Sequence, residues 1–194
     1  MTGPILTVPN VVSAIRIALV PVFLWLMFGP NHYAAAGWLL GAIAATDWVD
    51  GFLARRLDQV SELGKLLDPI ADRFAVASGV LAGWITGTIP WWFALALIVR
   101  ESTVSLAAMI LAARTGEKIA VRRLGKAATF GVYVAVPNFI IEAGTGYVFH
   151  YWVSWVFGVP GLILYYAVLF QYFGDVRRAM SGVSSATVDQ EETG

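Results

Sequence analysis

The chain has 194 residues, of which 58% are hydrophobic and 13% charged. Soluble domains run near about 45–50% apolar and about 25% charged, so this composition argues against one soluble core and for several membrane spans. The absence of cysteine excludes disulfides and thiolate metal sites. A net charge of zero gives no sign of a nucleic-acid partner.

In chain order, Met1 to Asn10 carry no basic residue, and Arg16 interrupts the first apolar run, which continues to Phe28. A secretory signal wants a basic start and a small-residue cleavage site, so this run is expected to be a retained first span. Asn10 or Ser13 suits its helix cap. A span needs roughly 20 mostly apolar residues. Six segments qualify, at 11–29, 34–55, 66–87, 90–113, 126–143 and 151–174. Their breaks have turn chemistry, at Gly29-Pro30-Asn31, Gly87-Thr88-Ile89-Pro90 and Gly144-Thr145-Gly146. The expected fold is therefore all-α, an integral membrane bundle of six transmembrane helices over 1–180. The segment 181–194 is polar and acidic, with Asp189, Glu191 and Glu192, and reads as a disordered tail.

Lysines and arginines orient such a chain, because cytoplasmic loops carry them in excess. With a cytoplasmic N-terminus, the inner loops hold Arg55, Arg56 and Lys65, then Arg114, Lys118, Arg122, Arg123 and Lys126, and the C-terminal end holds Arg177 and Arg178. The outer loops hold neither residue type. Both termini are thus expected in the cytoplasm. Trp91, Trp92, Trp152 and Trp155 fall near outer boundaries and read as interface anchors. His32 and His150 fall at outer loops and are given no chemical role.

Four aspartates break the apolar pattern. Asp47 and Asp50 lie three residues apart in the second segment, and Asp68 and Asp72 four apart in the third. Those spacings put each pair on one helix face. Helix rise sets Asp50 about 7.5 Å from Arg55 and Asp68 about 4.5 Å from Lys65. All four carboxylates can then meet near the cytoplasmic interface. An aspartate at the centre of a span costs roughly 2.5–3.5 kcal/mol on insertion scales, so four such residues imply partners. Arg55, Lys65 and Arg73 offer a structural ion-pair network. Four carboxylates on two facing helices match better the oxygen cage of Mg²⁺ or Mn²⁺. Their charge leaves room for two ions, an arrangement used in phosphoryl displacement.

The stretch DWVDGFLARRLDQVSELGKLLDPIAD fits Asp-x2-Asp-Gly-x2-Ala-Arg-x8-Gly-x3-Asp-x3-Asp at all eight fixed positions, Asp47, Asp50, Gly51, Ala54, Arg55, Gly64, Asp68 and Asp72. In this it resembles the CDP-alcohol phosphatidyltransferases. The resemblance implies a phospholipid-making transferase that moves a phosphatidyl group from CDP-diacylglycerol to an alcohol and releases CMP. It implies that Asp47, Asp50, Asp68 and Asp72 hold metal ions on the pyrophosphate, and that Asp72 also acts as general base. Gly51 and Ala54 would let the nucleotide approach the helix, although small residues also permit close helix packing. Gly64 would contact the nucleotide, unless it is only a loop glycine. Arg55 suits a phosphate oxygen and equally a topology anchor. A homodimer and contact with membrane lipid are implied by the family alone.

The acceptor is read from further stretches. Thr7-Val8-Pro9-Asn10 through Ser13 and Arg16 resembles the opening of phosphatidylglycerophosphate synthases and of cardiolipin synthases of the CDP-alcohol type. Val99-Arg100-Glu101 is similar to a Gly-Arg-Glu of the former group, with Val for Gly. Gly125-Lys126-Ala127-Ala128-Thr129 looks closer to the cardiolipin branch. Arg114, Lys118, Arg122, Arg123 and Lys126, balanced only by Glu117, suit a small dianion. The expected acceptor is therefore glycerol 3-phosphate, with phosphatidylglycerol as the alternative. The same basic residues equally suit topology signalling and anionic lipid headgroups. Arg100 and Glu101 point about 100° apart as helix neighbours. Each is therefore expected to pair elsewhere, with Arg73 or an active-site Asp. An ion or metal transporter is the reading from another class. Transporters often show paired repeats, whereas here no repeat appears and the acids gather at one face.

Overall fold

The structure is a computed structural model. It describes the backbone of residues 8–29, 32–57, 62–115 and 123–191, and side chains over 11–29, 32–46, 73–106, 109 and 125–171. These residues form six helices, α1 Val8–Phe28, α2 Tyr33–Leu57, α3 Glu62–Ile85, α4 Trp91–Thr115, α5 Arg123–Thr145 and α6 Val148–Glu191. No strand occurs among the described residues. Each apolar segment read from the sequence lies on one of these helices, with ends shifted by a few residues except at the end of α6, which runs on from 174 to Glu191.

Two of the expected breaks have a local cause. After α3, Gly87 takes a φ of 73°, and Ile89 N–H donates to the Gly83 carbonyl at 3.0 Å. After α5, Gly146 takes a φ of 67° and its N–H donates to the Glu142 carbonyl at 2.7 Å. A positive φ at a helix end suits glycine, which has no Cβ to clash. The α6 helix continues through 181–191, the stretch whose composition reads as a disordered tail. No proline follows Pro160 to interrupt the helical pattern there.

The chain is a membrane protein. Among the described residues, Val11–Phe28, Gly125–Thr145 and Val148–Gln171 are long and apolar enough to cross a bilayer. Tyr33–Thr46 and Arg73–Ile85 are shorter apolar helices. The outward faces carry large apolar side chains, Ile85 and Phe170 being 72% exposed and Met109 69%. Soluble monomers rarely expose a contiguous apolar surface of this kind.

The bundle is assembled around α5. It packs on α6 and α2, α1 packs on α2 and α3, and α4 packs on α3 and α6. In a membrane the helix contacts rest on close van der Waals fit rather than hydrophobic exclusion. Glycine supplies that fit where α5 crosses α6. A Cβ on Gly131 would meet the Phe157 carbonyl oxygen at 2.8 Å and Gly161 Cα at 3.0 Å. Above the crossing, Phe93, Phe139 and Trp155 interlock, with ring centroids 5.1–6.2 Å apart, and Trp92 stacks on Trp155 at 5.5 Å. Trp155 is thus a partly buried packing residue rather than only an interface anchor.

His150 also departs from expectation. It sits in the first turn of α6 rather than in a loop, is buried, and pairs through Nδ1 with Asn138 Oδ1 at 2.7 Å. Trp38 and Phe149 meet its ring edge-on. A polar pair across α5 and α6 satisfies two groups that burial would otherwise penalise.

Gly131→Val is expected to destabilise the bundle by about 1–3 kcal/mol, the usual cost of overpacking. Gly41→Ala, whose added Cβ would meet only Pro137 Cβ at 3.7 Å, is expected to be neutral or mildly stabilising. Thermal unfolding of the two variants in detergent checks the contrast.

Candidate active site

The helices bring the aspartate pairs to one region of the backbone. Asp47, Asp50, Gly51, Ala54 and Arg55 lie on the C-terminal half of α2, and Gly64, Asp68 and Asp72 on the N-terminal half of α3. These helices are consecutive, are in contact, and are joined by the short connection 58–61. The side chains of all eight residues lie outside the described residues. Of the basic acceptor candidates, Arg114 closes α4 and Arg123 opens α5, again with side chains outside the described residues. Lys118 and Arg122 lie outside them altogether. Lys126 is exposed on α5.

Described side chains border the aspartate-bearing halves on two sides. On α1, Arg16 is buried at 3% exposure, and its Nη2 lies 3.5 Å from Thr46 Oγ1, one residue before Asp47. Thr46 is fixed in turn by donating to the Ile43 carbonyl at 2.7 Å. A small cleft, with room for about 20 Å³, opens beside Arg16, walled mainly by Leu40, Ile43, Val76, Val132 and Pro137.

On the other side, charged and aromatic groups link α3, α4, α5 and α6. Arg73, one residue after Asp72, donates through Nη1 to Ser105 Oγ at 2.9 Å and lies 3.5 Å from Glu101 Oε1. Glu101 Oε2 accepts from Arg100 Nη1 at 2.7 Å. Arg100 is buried, with its guanidinium carbon 3.8 Å from the Tyr165 ring centroid. The Tyr165 hydroxyl lies 3.3 Å from Thr129 Oγ1, and Tyr166 donates to the Ala96 carbonyl at 3.0 Å.

The pairing of Arg73 with Glu101 agrees with the sequence reading, but the direct Arg100–Glu101 pair corrects it. Helix neighbours diverge at Cβ, yet an arginine stem is long enough to fold back across that angle. Tyr165 then covers the guanidinium face, where cation–π attraction is strongest when water is excluded. Tyr165 and Ser105 carry no sequence motif that would have singled them out. The one available signal was a buried arginine on an apolar helix, which demands an anionic or aromatic partner somewhere.

The chain matches the family model of CDP-alcohol phosphatidyltransferases over residues 6–171. The chain belongs to the CDP-alcohol phosphatidyltransferase family. It is 36% identical over 189 residues to the cardiolipin synthase (CMP-forming) of Streptomyces coelicolor, covering 91% of this chain and 86% of that one. It is 34% identical over 148 residues to the CDP-diacylglycerol–glycerol-3-phosphate 3-phosphatidyltransferase of Bacillus subtilis, covering 69% of this chain and 76% of that one. A protein of the latter name from Pseudomonas fluorescens is 38% identical over 107 residues, covering 52% of this chain and 53% of that one. A CDP-alcohol phosphatidyltransferase handles a doubly charged pyrophosphate at a lipid surface.

Removing the ring over Arg100 tests the aromatic contact. Tyr165→Leu is expected to lower stability by about 2 kcal/mol or more, the scale of a desolvated cation–π contact. Tyr165→Phe keeps the ring and is expected to cost only about 0.5–1.5 kcal/mol for the lost hydroxyl contact. Unfolding curves in detergent distinguish them.

Proposed function

We propose that this phosphatidyltransferase transfers the phosphatidyl group of CDP-diacylglycerol to phosphatidylglycerol, yielding cardiolipin and CMP. The observation that carries the transferase chemistry is the two aspartate pairs on consecutive, contacting helices, in the spacing of the family motif. The acceptor rests on the extent of similarity, which reaches 91% of this chain for the Streptomyces relative against 69% for the Bacillus one. Glycerol 3-phosphate is the second reading, favoured by the basic set Arg114, Lys118, Arg122, Arg123 and Lys126.

The acceptor hydroxyl attacks the phosphorus that bears diacylglycerol. The phosphorus–oxygen bond to CMP breaks, and CMP leaves with the bond electrons. Asp72 takes the hydroxyl proton, which keeps the attacking oxygen nucleophilic as the bond forms. Gly51 and Ala54 leave room on α2 for the nucleotide, Gly64 contacts it, and Arg55 holds a phosphate oxygen. An all-carboxylate donor set suits a hard divalent cation, so Asp47, Asp50, Asp68 and Asp72 would hold Mg²⁺ or Mn²⁺, in two sites. Such ions, when bound, supply the positive charge that offsets the pyrophosphate and the departing CMP. Positioning and fixed charge in a partly dry site carry the remaining rate enhancement.

Six spans over 1–180, a polar tail at 181–194, and cytoplasmic termini and active site belong to the same proposal. The asymmetry of lysine and arginine supports it. A homodimer embedded among membrane lipids is supported by family resemblance.

Purified protein incubated with CDP-diacylglycerol, Mg²⁺ or Mn²⁺, and each acceptor in turn is expected to release CMP most readily with phosphatidylglycerol. Release with glycerol 3-phosphate alone would move the assignment to phosphatidylglycerophosphate synthesis. Ion flux in liposomes without any CMP would favour a transporter. Asp72→Asn is expected to reduce turnover by about 100-fold or more while CDP-diacylglycerol still binds. Near-normal turnover would remove Asp72 from the base role.

The absence of native cysteine makes the topology directly testable. In intact cells, a membrane-impermeant maleimide is expected to label Tyr147→Cys and to spare Lys126→Cys until lysis. The reverse pattern would overturn the orientation.

A further inference from the structure

We propose that Arg16 is a positioning residue for the metal-bearing turn of α2, acting on Asp47 through Thr46. This rests on the proposal above that Asp47 and Asp72 hold divalent ions, and it adds the group that sets Asp47 before an ion arrives. Arg16 lies near the middle of α1 with 3% of its surface exposed. A guanidinium stays charged at every working pH, and burying that charge within a span is costly. The charge lies where α1 packs against both helices that carry the aspartates, α2 and α3.

Thr46 is held from two sides. Its hydroxyl proton goes to the Ile43 carbonyl at 2.7 Å, so toward Arg16 the oxygen can only accept, and Arg16 Nη2 meets it at 3.5 Å. A threonine bonded back to its own helix often bends the local turn. Asp47 is the next residue, about 1.5 Å further along the helix axis. A guanidinium that holds Thr46 therefore holds the stretch of backbone that carries Asp47.

The cleft beside Arg16 points the same way. It is walled by Ile43 on α2 and by Val76 on α3. Ile43 precedes Asp47 by four positions, and Val76 follows Asp72 by four. Positions four apart share a helix face, and a short connection makes α2 and α3 antiparallel neighbours. Both wall residues thus lie one turn deeper than an aspartate position and on its face. Arg16 stands beneath the inner member of each aspartate pair. Groups that support metal ligands from behind set the ligands' orientation, and their loss typically weakens metal binding by about 10–100-fold.

The experiment titrates the full chain in detergent with Mn²⁺, following the free ion by electron paramagnetic resonance, with thermal unfolding of each variant alongside. Arg16→Gln is expected to weaken Mn²⁺ binding by about tenfold or more, and Arg16→Lys to recover part of the loss. Thr46→Val keeps the side-chain shape without the hydroxyl and is expected to weaken binding by about threefold, the scale of one hydrogen bond. Combining Thr46→Val with Arg16→Gln is expected to add nothing to Arg16→Gln alone, because both remove one contact. Unchanged or tighter Mn²⁺ binding by a folded Arg16→Gln overturns the proposal and leaves Arg16 a tie between helices. Fully additive losses overturn the route through Thr46. Should Arg16→Gln fail to fold, Thr46→Val decides, and unchanged binding there overturns the proposal equally. Wild-type protein that binds no Mn²⁺ overturns the metal reading itself and this inference with it.

Discussion

Charge inside an apolar layer must be answered by charge, by a hydrogen bond or by an aromatic face, and this constraint organises the molecule. An arginine or aspartate left alone in a span costs several kcal/mol on the order of insertion scales. The described side chains meet that demand at Arg100, which has Glu101 on one nitrogen and Tyr165 over its plane. They meet it at Arg73 through Ser105 and Glu101. These links tie α4 to both α3 and α6. The helix carrying Asp68 and Asp72 is therefore fixed partly by polar contacts, in the half of the bundle where the chemistry is proposed.

Helix number and positions were legible because they depend on local composition. Runs of apolar residues closed by Gly-Pro-Asn or Gly-Thr-Gly mark where a helix must stop, whatever packs against it. The aspartate motif was legible because its spacing alone puts the acids on one face. Contacts between distant segments were not. Nothing local says that Arg100 lies under Tyr165, or that His150 finds Asn138 twelve positions away. The expectation that Arg100 and Glu101 diverge treated the side chains as short rods. A flexible stem of three methylenes relaxes that limit, and the pair closes to 2.7 Å.

The acceptor question shows a different limit. A basic loop attracts any phosphate, so counting cations cannot distinguish a soluble glycerol phosphate from a lipid headgroup. Telling them apart takes the shape of the space around the acceptor, and that enters only with tertiary structure. The breadth of similarity to a cardiolipin synthase bears on the same question from outside the physics.

The interlocked rings of Trp92, Phe93, Phe139 and Trp155 sit away from the polar links, with the Gly131–Gly161 crossing between. Dense apolar packing is stiff, whereas hydrogen-bonded charge pairs can exchange partners at modest cost. The bundle thus has a graded mechanical character, firm at the aromatic end and adjustable at the charged one. Such a gradient leaves side chains at one end room to rearrange while the other preserves the register of the helices.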